Sequence, residues 1–299
     1  MARAAANVSD AAGVARSAAN VSRLQLAMRI PKRNLRRTDT EYLLVKDMCA
    51  LSADEVLLAC GDAGLRAVSL HTAQLAAHES SAIRDYVRGV AFDAHNDTLL
   101  LLVLEPTGNY YQLVSLRRNA SKWLEVQRLD TRIRRSLYIA VCDSRVLLGG
   151  EGWDTLYVFD VSSESTLRDA GSVTIQSRFY GIACTRRDGV TLVAFSNDTS
   201  VSLLRLTSLP LRLVPLASVS LTDPHRLLFR EDLLLVADLN RANRTDAIVS
   251  FRVSGNALTE RRVLLDAQAG VRVEAWTLAS DRLVLRDLKS EELLVYDFT

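Results

Sequence analysis

Arginines recur along the chain in short polar segments, most of them beside an aromatic residue. They are Arg84, Tyr86 and Arg88 in "HESSAIRDYVRG", Arg134, Arg135 and Tyr138 in "DTRIRRSLY", Arg178 and Tyr180 in "IQSRFYG", Arg226 in "LTDPHR", and Arg272 with Trp276 in "AQAGVRVEAW". A guanidinium presents a planar fork of donors that matches a carboxylate or a phosphate, and a neighbouring ring supplies rigid contact area for a peptide. Gathered at one place, these side chains would read an acidic or phosphorylated segment. The plainer alternative is a set of solvated loop arginines, because arginine outnumbers lysine 33 to 4. Asp85, Asp223 and Glu274 stand beside them and offer neutralisation. The same three carboxylates carry a second chemistry, since oxygen ligands suit Ca2+ or Mg2+ and a bound cation could assist hydrolysis.

Other catalytic patterns are missing. The four histidines, His71, His78, His95 and His225, are widely separated and there is no Cys-x-x-Cys pair, so a zinc site has no ligand spacing to rest on. No G-x-S-x-G, P-loop or G-x-G-x-x-G motif occurs; "LLGGEGWD" at 147–154 is a glycine-rich turn between two strand patterns. A net charge of +2 and the lack of any RNP-like motif argue against nucleic acid as partner. These absences favour a non-enzymatic binding protein that needs no cofactor.

The elements that must position the arginines form a repeat. Taking the first residue of a recurrent apolar strand as anchor gives Val56, Leu99, Val146, Leu192, Leu233 and Leu283, at spacings of 43, 47, 46, 41 and 50 residues. Each anchor strand is preceded by a shorter one, at 46–52, 88–94, 137–143, 180–186, 225–231 and 274–280. Each is followed by an alternating one, at 65–70, 110–116, 155–161, 201–206, 247–253 and 293–298. Fourth strands fit at 73–79, 123–129, 170–176, 213–221 and 257–265, but the chain ends after the sixth third strand. The unpartnered "SRLQLAMRI" at 22–30 has the length and alternation to supply the missing one. Six four-stranded antiparallel units with a period of 40 to 50 predict an all-β, six-bladed propeller, velcro-closed by an N-terminal strand. The arginine-bearing segments then connect fourth strands to first strands, on one face around the channel mouth.

The rest of the chain fits one domain over residues 22–299. Residues 1–21 repeat "AANVS" and are expected to be a disordered low-complexity tail. Four cysteines, Cys49, Cys60, Cys142 and Cys184, read as buried thiols on inner strands. No apolar run reaches 18 residues, so no membrane span is expected. Six Asn-x-Ser/Thr sequons occur; those at Asn96 and Asn197 fall between strands, where Asn serves turn geometry.

In "TLYVFDV" 155–161 and "LLVYDF" 293–298 the third strand ends in an aromatic residue followed by Asp. This resembles the terminal Trp-Asp of WD40 repeats and the strand endings of YVTN-type propellers, over about 270 residues. The resemblance implies a rigid disc that binds partners through the loops of one face, and the arginines of those loops point to an acidic or phosphorylated peptide. It leaves a metal-dependent hydrolase of the six-bladed lactonase type, using Asp85, Asp223 and Glu274, as the competing expectation. A monomer in the cytoplasm is expected.

Overall fold

A computed structural model describes residues 23–35, 44–75, 86–108, 110–120, 122–133, 137–150, 154–175 and 178–299. The tail expected over residues 1–21 lies outside the described residues. The first blade is β2 (Asp47–Ala50), β3 (Glu55–Ala59), β4 (Leu65–Ser69) and β5 (Gln74–Leu75). The second is β6 (Val87–Asp93), β7 (Thr98–Leu104), β8 (Tyr111–Asn119) and β9 (Lys122–Ile133), and the third is β10 (Leu137–Cys142), β11 (Arg145–Gly150), β12 (Thr155–Val161) and β13 (Leu167–Thr174). The fourth is β14 (Gly181–Arg187), β15 (Val190–Ser196), β16 (Ser200–Ser208) and β17 (Leu211–Ser220), and the fifth is β18 (Pro224–Arg230), β19 (Leu233–Asn240), β20 (Thr245–Ser254) and β21 (Ala257–Leu265). The sixth joins β22 (Val273–Ala279), β23 (Arg282–Asp287) and β24 (Leu293–Phe298) to β1 (Leu24–Ile30), which pairs antiparallel with β24. Backbone bonds of 3.1 Å run both ways between Arg23 and Thr299, so this sheet is made from the two ends of the described chain.

The sheets form a ring because each second strand is apolar on both faces. In β7, "TLLLLVL", six of the seven residues are buried, and β19 repeats the pattern with "LLLVAD". A strand covered on both sides cannot satisfy itself within one sheet and needs a neighbouring blade on each face. Each contact between neighbouring blades accordingly has its own apolar cluster, six in all. Innermost strands touch in the cyclic order β2, β6, β10, β14, β18, β22 and back to β2. Outer strands are wetter and carry edge protection, as in β17, where Pro215 withholds an N–H from the exposed edge. Bulges interrupt the pairing of third with fourth strands in blades two to five and increase the local twist.

First and second strands are joined at the lower face by tight turns. Asp143-Ser144 and Asp188-Gly189 are two-residue hairpins with positive φ at both positions, the geometry that matches strand twist. The sequons at Asn96, Asn197 and Asn243 are absorbed into structure. Asn96 donates to Ser144 and to the Val161 carbonyl of the next blade, the side-chain oxygen of Asn197 accepts from the backbone N–H groups of Thr199 and Ser200, and that of Asn243 accepts from the N–H of Thr245. All four cysteines are free thiols.

Candidate functional site

The six innermost strands surround a channel of about 280 Å³. Its upper mouth, where fourth strands hand over to first strands, collects the first residues of those inner strands. Asp47 opens β2, Arg88 is second in β6, Tyr138 second in β10, Gly181 first in β14, Arg226 third in β18 and Glu274 second in β22. Further down, the wall turns apolar through Val90, Ile139, Ile182 and Leu227. Charged groups of the lining are thus at one end, while Thr277, Cys49 and Cys184 lie deeper.

Arg226 is drawn inward. Its guanidinium donates to the backbone carbonyl of Glu274 and lies 5.4 Å from the Tyr138 ring centroid, a cation–π contact across the mouth. Asp47 accepts the Val90 N–H at 3.2 Å. Burial pushes its carboxyl up to about 6, while Arg226, the N–H groups of Val90 and Met48, and Arg88 pull the other way. Glu274 is likewise raised by burial, opposed by Arg286, Lys46, Arg226 and Arg88. Lys46 is lowered by burial and by Arg88, with Glu274 opposing. Arg286 is 2% exposed, its Nε sits 3.9 Å from Glu274, and its Nε and Nη1 have no hydrogen-bond partner. Among the described residues, Lys46, Arg88, Arg226 and Arg286 all act on Glu274, Arg88 and Arg226 also act on Asp47, and Arg286 is shared with Asp287 and Glu291. A mouth that gathers guanidinium and ammonium donors in this way can receive an incoming anion.

The carboxylates next along the same face are committed to holding it together. Asp238 accepts the N–H groups of Thr222 and Asp223, at 3.0 and 2.8 Å. Asp287 accepts that of Arg272 at 2.8 Å; burial raises Asp287, but this bond and those from Ser290 and Lys289 outweigh it and hold the group low. Fully buried Asp246 accepts the Val273 N–H at 2.6 Å, stitching blade five to blade six, with His225 Nε2 3.6 Å from its other oxygen. Each acid anchors a connection into a first strand.

Of the arginines singled out in the sequence, Arg88 and Arg226 meet at the mouth, Arg272 is half-buried beside Asp246, and Arg178 is exposed. Arg84, Arg134 and Arg135 lie outside the described residues. Tyr138 lines the channel, and Tyr86 and Tyr180 are half-buried on the same face. Trp276 is corrected: it is 6% exposed, packs in the cluster between blades five and six, and its indole N–H donates to the Leu227 carbonyl at 3.4 Å. Because Trp276 is the fourth residue of β22, deeper along the strand than Glu274, its apolar ring is drawn into the interblade core rather than onto the rim. For the cation alternative, Asp85 lies outside the described residues, Asp223 is bonded to Arg241 at 3.0 Å, and Glu274 sits among cations. Among the described residues no three His, Cys, Asp or Glu side chains are grouped so as to hold a metal ion. Reading only the connections overlooked Lys46, Asp47 and Arg286, although a charge interrupting the apolar second strand "RLVLRD" is a signal visible in the sequence.

No family model and no curated protein matches the chain. Solved structures do. The chain is similar to a protein of unknown function from Desulfotomaculum acetoxidans, at 16% identity and a TM-score of 0.60, over 84% of this chain and 81% of that one. It is also similar to a chain in a crystal structure of the mitotic checkpoint complex, at 12% identity and a TM-score of 0.57, over 99% of both. At such identities the likeness is one of fold. Among the described residues no helix is long and apolar enough to cross a membrane.

Proposed function

We propose that the protein is a non-enzymatic interaction module that captures an acidic or phosphorylated peptide segment at the upper mouth of its channel. The observation that carries this reading is the gathering of Lys46, Arg88, Arg226 and Arg286 about Glu274 at one end of the channel, beside Asp47, whose carboxyl is raised to about 6. Arg88 and Lys46 supply charge at the rim, and Arg226, braced on Tyr138, supplies a fixed guanidinium. Arg178, Arg272, Tyr86 and Tyr180 extend the contact outward. A chain of similar fold sits within the mitotic checkpoint complex, which agrees with a role in protein association.

The test is binding to an array of phosphorylated, acidic and neutral peptides, repeated with Arg88→Ala and with Arg135→Glu/Arg178→Glu. Retention of anionic peptides that weakens with salt and with Arg88→Ala supports the reading. Binding of no peptide, or binding indifferent to both variants and to salt, overturns it.

A further inference from the structure

Two thiols meet where blades three and four touch. β10 and β14 are neighbouring innermost strands. Tyr138 and Ala140 of β10 and Ile182 and Cys184 of β14 pack in the cluster between those blades. With a strand period of two, Cys142 follows Ala140 onto the same side. The Cys184 thiol lies in hydrogen-bonding contact with that of Cys142. One residue beyond Cys142, Asp143 pairs with Arg186, two residues beyond Cys184, so the two segments that carry the sulfurs are already tied from blade to blade. Cys142 is buried, whereas Cys184 is partly exposed and lines the channel.

We propose that Cys142 and Cys184 form a redox modification site that closes to an interblade disulfide when a small hydroperoxide enters the channel. The Cys184 thiolate attacks the peroxide oxygen, breaking the O–O bond and leaving a sulfenic acid and water or an alcohol. The Cys142 thiolate then attacks that sulfur and expels water. Two electrons and two protons pass from the two thiols to one hydroperoxide. The reaction is slow at neutral pH, because burial and the adjacent Cys142 hold the Cys184 thiol well above its ordinary range, Arg145 opposing. Cys49 provides an internal comparison. It lines the same channel from blade one, while Cys60 belongs to the cluster on the other side of that blade's sheet.

The experiment is prolonged treatment of the full chain with hydrogen peroxide at pH 7 and pH 9, followed by mass spectrometry under non-reducing conditions. The expected product has lost two hydrogens, contains a Cys142–Cys184 linked peptide, and forms faster at pH 9. It retains two titratable thiols, and its Tm rises by roughly 3–8 °C, reversed by reductant. Cys142→Ala should instead accumulate oxygen adducts at Cys184 without a bridge. Four intact thiols in the treated wild type, oxygen adducts without a linked peptide, or a bridge through Cys49 or Cys60 would each overturn the proposal. Because the bridge is mapped in the wild type, the result does not depend on a variant folding.

Discussion

The two faces of the disc use arginine in opposite ways. On the lower face three arginines at first-to-second turns find an acid of the neighbouring blade. Arg186 pairs with Asp143, Arg230 with Asp281 at 3.5 Å and Arg282 with Asp54 at 2.9 Å. Charge there is matched and spent on joining blades. At the upper mouth, four cations among the described residues gather about Glu274, a guanidinium rests on a carbonyl and a ring, and another is buried with two donors unbonded. The difference teaches that arginine content says little by itself. What matters is whether an acid arrives from the adjacent blade to meet each guanidinium.

The largest effect expected from this contrast is on binding. Arg88→Glu should weaken an acidic peptide about 10- to 100-fold, the range of a lost charge-assisted contact, whereas Arg186→Glu on the lower face should leave affinity unchanged; titration calorimetry at fixed salt distinguishes them. Equal losses from both variants would erase the distinction between the faces.

Next comes the cost of keeping Asp47 at the mouth. Its folded pKa of about 6 lies above the ordinary 3.8, so the folded state binds its proton more tightly. The associated stability is present below pH 4 and is lost as pH rises through 6. Asp47→Asn, which keeps an acceptor for the Val90 N–H, should therefore stabilise the fold by about 1–3 kcal/mol at pH 7 and hardly at all near pH 4, as read by urea unfolding at the two pH values. The same titration makes a smaller change in function. Peptide affinity should rise a few-fold between pH 7.5 and 5.5, as Asp47 loses the charge that competes for Arg226 and Arg88, and the rise should vanish in Asp47→Asn. The smallest effect belongs to the lower face: Arg282→Ala should cost at most about 1 kcal/mol, less in high salt, because its partner Asp54 is exposed.

Particular residues show how much of this was legible. The anchors Val56, Leu99, Val146, Leu192, Leu233 and Leu283 each fall at or within two residues of the start of a second strand, because apolar runs of strand length report burial locally. Leu24–Ile30 pairs where its length and alternation required. Arg88 and Arg226 stand at the mouth, but Arg226 turns onto Tyr138 and Trp276 enters the core, and neither orientation is encoded by spacing. Arg286 was overlooked because a charge inside an apolar strand gains its meaning only from Glu274 on the strand beside it.

By itself, then, the sequence determined the period, the blade count and the face on which the connections emerge, since these depend on hydrophobic alternation over a few residues. Tertiary structure alone decided which charges are neutralised and which thiols meet. Arg186 with Asp143, Glu274 with Lys46, and Cys184 with Cys142 are contacts between blades, and a pairing energy that falls off within a few ångströms is fixed only once the ring brings those blades together.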